Sequence, residues 1–339
     1  MSHAPVLAAL LGLATVAARA DLPNYVQAGS FHLPEGSAAY DVLPDGRVIA
    51  VRGDDILIQD AVNASSFSLL GSLPAGFIAG EAAFLRVNPS GTHVAIGDND
   101  YTGTQEVGVF ALASIGDPAF TRIAAPNFDA VWADDRTFFV AGSGVDTVVT
   151  RVDLLSGGGA VGSVVINDFS GFSGGIAIGN GYLYTSDGFS LGGPSGTGEI
   201  RAFDLAALDG SSVFSFDNDG IVVADLLSGA SLGFDAFGNL LVGGGDPFGG
   251  GEFGFIGVID GDAIFPFAPP GGVSLADILA IDSPFGEDTN FVLYNAATGE
   301  LLVTIYGSSL VYRYAVPAPG AAALLALGGL AAARRRRHA

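Results

Sequence analysis

The chain has 339 residues, of which 49% are hydrophobic, 51 are Gly and none is Cys. Its 13 basic residues are all Arg, set against 35 acids, for a net charge of −22. That balance repels phosphate and excludes a nucleic-acid-binding surface, and the missing Cys excludes disulfides and thiolate chemistry.

Met1 to Ala20 has the layout of a secretory signal. Val6 to Ala18 is an apolar core, and Ala18-Arg19-Ala20 is a small-x-small cleavage pattern that would leave Asp21 as the new N-terminus. A buried N-terminal helix is the alternative. With leader and tail removed, 8 Arg face all 35 acids, a net charge of −27. Such a surface favours solubility and attracts cations.

From Ala39 the chain repeats one unit. AYDVL, the turn PDG, RVIAVRG, a second turn and ILIQD make a meander of short antiparallel strands. The unit recurs from Ala83, Asp129, Gly175, Leu232 and Asn290, with inner turns near residues 45, 90, 135, 180, 238 and 298. The first three steps are about 45 residues each, and insertions such as 190–198 and 210–219 lengthen the later ones. A fourth strand is expected after five units, at Phe67–Leu73, Phe120–Ala124, Val161–Ile166, Val213–Phe216 and Ala263–Phe267. The sixth unit lacks one, but an orphan strand at 26–33 precedes the first unit. Placed beside the last unit, it closes a ring and removes exposed sheet edges.

These features predict an all-β, six-bladed β-propeller of four-stranded antiparallel blades over residues 21–315, with seven blades as the alternative. An N-terminal signal helix (1–20) and a C-terminal hydrophobic helix flank it. Blades packed on both faces explain apolar runs such as FFVAG and FGFIGVI in place of strict alternation. Tyr40, Phe84, Trp132 and Phe234 recur one strand before the inner turn and are expected between blades.

The tail, 316–339, carries Val316-Pro317-Ala318-Pro319, an apolar stretch from Ala321 to Ala333, and Arg334-Arg335-Arg336-Arg337. It resembles the PEP-CTERM sorting signals of Gram-negative bacteria, departing from them at Ala318, where Glu is usual. The resemblance implies processing by an exosortase-type enzyme at the envelope. The apolar stretch of 13 residues spans about 20 Å as a helix, short of the roughly 30 Å bilayer core. An ordinary C-terminal membrane anchor is the other reading.

Few residues suggest catalysis. The body has two His, His32 and His93, and neither lies in a nucleophile elbow. Asp98-Asn99-Asp100 and Asp217-Asn218-Asp219-Gly220 offer oxygen ligands but lack the spacing of a calcium loop. The carboxylates just ahead of the inner strands, Glu35, Glu81 and Asp129, are the weak channel candidates for a cation such as Ca²⁺, the arrangement that gluconolactonase-like propellers suggest. No other cofactor is indicated. The sequence thus points to an exported propeller, at the envelope or released to the extracellular matrix. Its expected role is to bind polysaccharide or protein without catalysis. A secreted Ca-dependent hydrolase or lactonase using the channel is the alternative.

Overall fold

A computed structural model describes residues 22–78, 81–98, 105–143, 147–187, 199–226, 228–245, 254–264, 273–274, 279–281, 290–305 and 307–317. The leader with Ala18, Ala20 and Asp21, and the tail from Ala318 onward with Pro319 and Arg334 to Arg337, lie outside them. Among the described residues no helix is long and apolar enough to cross a membrane.

Six sheets follow one another along the chain. Strand β1 (Val26–His32) comes first. Blade 1 is β2 (Ala39–Val42), β3 (Val48–Arg52), β4 (Asp55–Gln59) and β5 (Phe67–Ser72). Blade 2 is β6 (Ala82–Val87), β7 (His93–Asp98), β8 (Glu106–Ala111) and β9 (Thr121–Ala124). Blade 3 is β10 (Asp129–Trp132), β11 (Thr137–Ser143), β12 (Thr147–Leu154) and β13 (Ala160–Asn167).

Blade 4 comprises β14 (Ile176–Gly179), β15 (Tyr182–Ser186), β16 (Ile200–Asp204) and β18 (Ile221–Asp225), with β17 (Phe214–Ser215) intervening. Blade 5 comprises β19 (Ser231–Phe234), β20 (Leu240–Gly244), β21 (Phe255–Ile259) and β23 (Leu279–Ile281), with β22 (Val273–Ser274) intervening. Blade 6 is β24 (Asn290–Asn295), β25 (Glu300–Ile305) and β26 (Leu310–Ala315), completed by β1. The pairing runs antiparallel from Val26 opposite Ala315 to His32 opposite Leu310. The N-terminal strand therefore closes the ring, and Val316 and Pro317 follow at that seam. Proline there ends the ladder because it carries no amide donor.

Among the described residues the core forms six hydrophobic clusters, each shared by two consecutive blades, the last joining blade 6 to blade 1. Six interfaces for six sheets exclude a seventh blade. Neighbouring residues on one strand serve opposite neighbours. Phe138 and Val140 of β11 pack toward blade 2, whereas Phe139 and Ala141 pack toward blade 4. That is the physical origin of the unbroken apolar runs. Close approach decides one glycine: a Cβ at Gly142 would fall on the backbone of Pro126 and Asn127.

Two expected fourth strands are corrected. The stretch 213–216 does not edge blade 4. Phe214 and Ser215 instead pair, in parallel, with Ile166 and Asn167 of blade 3. The short helix α1 (Phe216–Asp219) follows, and Ile221–Asp225 takes the expected place. The reason is packing: Phe216 is fully buried and stacks on Phe169 at 4.2 Å. Likewise Gly261–Ile264 is a helical turn, α2, and Leu279–Ile281 edges blade 5. Val273–Ser274 then crosses to pair with β18 of blade 4. Both insertions strap one blade to the outer edge of the blade before it.

Candidate functional site

The inner strands β2, β6, β10, β14, β19 and β24 open the successive blades, and charged side chains meet at three of them. Arg86 on β6 places Nη2 2.6 Å from Asp129 Oδ1 on β10. Its Nη1 donates to Leu85 O at 2.9 Å and to Tyr40 O on β2 at 3.4 Å. One guanidinium thus ties blades 1, 2 and 3. Asp41 on β2 accepts from the Val87 amide at 2.7 Å, and Trp132 Nε1 donates to Arg86 O at 2.9 Å. The Arg86–Tyr40, Val87–Asp41 and Trp132–Arg86 bonds each join residues 46 apart. Counted from the hairpin turns, Asp41 and Arg86 hold equivalent positions on β2 and β6, and Val42, Val87 and Trp132 hold the next one. As expected, Tyr40, Phe84 and Trp132 are buried between blades, and Phe234 is half-buried there.

Burial dominates the electrostatics of this hub. It pushes the carboxyls of Asp41 and Asp129 above the usual range, with Arg86 pulling them back only in part. Burial also works against charge on Arg86, but Asp129 and Asp41 outweigh it and hold the guanidinium above its ordinary value. The Tyr40 hydroxyl, 3.4 Å from Thr304 Oγ1 on blade 6, is pushed up to about 12 by burial.

The three channel candidates part company here. Asp129 is buried against Arg86, whereas Glu35 and Glu81 are exposed. Among the described residues no three His, Asp or Glu side chains stand together as a metal-ligand set. A cation at Asp129 would have to displace Arg86. The acidic stretch from Asp217 is part of α1: Ser215 caps it, and Asp219 accepts from the Ser215 amide at 2.7 Å. Asp98 is buried at the end of β7, while residues 99 and 100 lie outside the described chain. His32 is exposed on β1.

A groove of about 500 Å³ opens between blades 2 and 3, on the side of the inner turns. Phe120, Leu155 and Ala119 give it apolar walls, and His93, Asp117, Asp135 and Arg136 give it polar groups. Phe120 stacks on Phe110 at 4.4 Å, and the Arg122 guanidinium lies 4.8 Å from its ring centre. Asp135 accepts from the Ser90 amide across the blade boundary at 2.8 Å. Asp117 Oδ1 accepts from the Ala119 amide at 2.8 Å, and His93 Nδ1 lies 3.0 Å from Thr92 Oγ1. The sequence singled out only His93 of these groups. Asp117, Asp135 and Arg136 come from separate turns and carry no local motif. Of the hub's charged groups the sequence singled out only Asp129; Arg86 and Asp41 carry no local motif.

No family model matches the chain, and no curated protein does. Solved structures do resemble it. The Swd1 β-propeller domain of Myceliophteria thermophila is 10% identical, with a TM-score of 0.51 over 87% of this chain and 100% of that one. A chain of the mitotic checkpoint complex is 11% identical, with a TM-score of 0.53 over 93% and 99%. A gluconolactonase from Xanthomonas campestris is 16% identical, with a TM-score of 0.55 over 90% and 93%. At such identities the likeness is one of fold: this chain shares the β-propeller architecture with proteins of different activities.

Proposed function

We propose that this chain is an exported β-propeller that binds extracellular polysaccharide or protein without catalysing a reaction. Its leader, ending at Ala20, directs export, and its PEP-CTERM-like tail engages an exosortase-type enzyme and the membrane. The observation that carries the binding reading is the hub: Arg86, Asp41 and Asp129 are engaged in bonds between blades. The open groove between blades 2 and 3 instead combines apolar walls with accessible polar groups, the usual make-up of a binding cleft.

The test of export is mass spectrometry of the mature protein. An N-terminus at Asp21 and loss of Arg334 to Arg337 support it, and an intact arginine block refutes processing. The test of binding is a glycan array together with capture of co-secreted proteins.

A metal-dependent hydrolase or lactonase is the second reading, favoured by the architecture shared with the gluconolactonase. Calorimetric titration with Ca²⁺ separates the two. Heat, a raised Tm and chelator-sensitive esterase activity would establish the second reading and remove the first.

A further inference from the structure

The body holds eight arginines. Seven of them, Arg47, Arg52, Arg86, Arg122, Arg151, Arg201 and Arg313, are in ion pairs with a carboxylate. Arg136 is in none among the described residues. Its guanidinium makes one hydrogen bond, from Nη2 to Leu154 O at 3.1 Å, and it lines the groove between blades 2 and 3. Arg136 is exposed, so its remaining guanidinium N–H groups are open to an acceptor in the groove.

The neighbours define what that acceptor can be. Asp117 and Asp135 each commit Oδ1 to a backbone amide, and among the described residues Oδ2 of each accepts no bond. A strongly anionic ligand that reaches Arg136 also meets these two carboxylates. A cationic ligand that reaches them meets Arg136. A neutral polyol avoids both repulsions, because each hydroxyl donates to a carboxylate and accepts from a guanidinium. The exposed Leu155 and Ala119, beside the half-buried Phe120, give apolar ring faces a wall. The volume of about 500 Å³ falls within the range of small-molecule clefts and suits one or two sugar rings.

We propose that this groove is a saccharide-binding site for neutral hexose units of an extracellular polysaccharide. Arg136 donates to sugar hydroxyls, and Asp117 and Asp135 accept from them. The proposal rests on the polysaccharide-binding reading above and names its site and ligand class.

The full secreted chain is titrated with a soluble neutral glucan, a neutral mannan and the acidic polymer alginate, alongside its Arg136→Ala and Asp117→Asn variants. The expected result is binding of a neutral polymer that weakens about tenfold or more in each variant, the loss typical of a charge-assisted hydrogen bond. The parent's Tm is kept, since neither side chain is in an ion pair. Neutral-polymer binding equal in parent and variants overturns the groove and leaves the polysaccharide reading standing. Binding of alginate alone, lost in Arg136→Ala, overturns the neutral ligand class. If the parent binds no saccharide on a broad array, the polysaccharide reading and the groove proposal both fall.

Discussion

Replacing Arg86 by Met removes the guanidinium facing the buried Asp129 and the half-buried Asp41 while keeping most of the side chain's length. Asp129, with a side chain 5% exposed, loses its partner at 2.6 Å, and Asp41 loses its attractive charge. Breaking a buried ion pair on one side costs about 3–5 kcal/mol, because the remaining charge is left uncompensated. For a domain of this size that lowers Tm by roughly 5–8 °C. The effect depends on pH, with a definite sign. A carboxyl whose pKa is raised by folding penalises the fold when ionised. The penalty is absent below the unfolded value, about 4, and complete above the folded value. Burial already raises Asp129, and loss of Arg86 raises it further. The deficit of Arg86→Met is therefore larger at neutral pH than at mildly acidic pH, where the carboxyl takes up its proton. Adding Asp129→Asn removes the stranded charge and recovers about half of the loss or more, which is non-additivity between contacting groups. Urea unfolding of the four proteins at two pH values measures all of this. An Arg86→Met protein within about 1 kcal/mol of its parent at both values, with additive double-variant energetics, would refute the structural role of the hub.

Three other outcomes follow from the fold. A chain ending at Ala315 keeps the parent's Tm, whereas one beginning at Leu33 lacks β1 and its buried Phe31; it loses cooperative unfolding, seen by calorimetry. Gly142→Ala places a methyl against the backbone of Pro126 and Asn127 and costs about 1–3 kcal/mol, while Gly157→Ala, with nothing within 4 Å, stays within about 0.5 kcal/mol by urea titration. Phe216→Ala removes the buried ring that stacks on Phe169 and costs about 3–5 kcal/mol. Amides of residues 214–219 then exchange faster, and unchanged exchange there would count against the strap.

The ring was readable because each blade repeats a local instruction. An apolar run, a tight turn and a second run specify a hairpin without distant information; in five of the six blades that turn holds a glycine of positive φ (Gly46, Gly91, Gly181, Gly238 and Gly299), and in blade 3 it is Asp134-Asp135-Arg136. The orphan strand was readable because an unpaired edge demands a partner. The fourth strands of blades 4 and 5 were not. Val213–Phe216 looks like a strand, and only the pocket formed by Phe169 and Phe203 turns Phe216 into the anchor of a helical strap on another blade. The sites were less legible still. Arg86 lies inside the apolar run AFLRVN, and its partners stand 46 and 43 residues away. Arg136 became distinctive only once every other arginine of the body had found a carboxylate. Both depend on which turns and strands the closed ring brings together.

Hydrogen exchange with and without a saturating neutral polysaccharide tests the central claim most directly, because it locates the ligand on the fold. The account predicts protection of peptides covering 88–93, 110–121, 134–137 and 154–159, the segments around the groove. Protection confined to the inner strands at 39–42, 82–87 and 129–132 would place the ligand at the hub and contradict it.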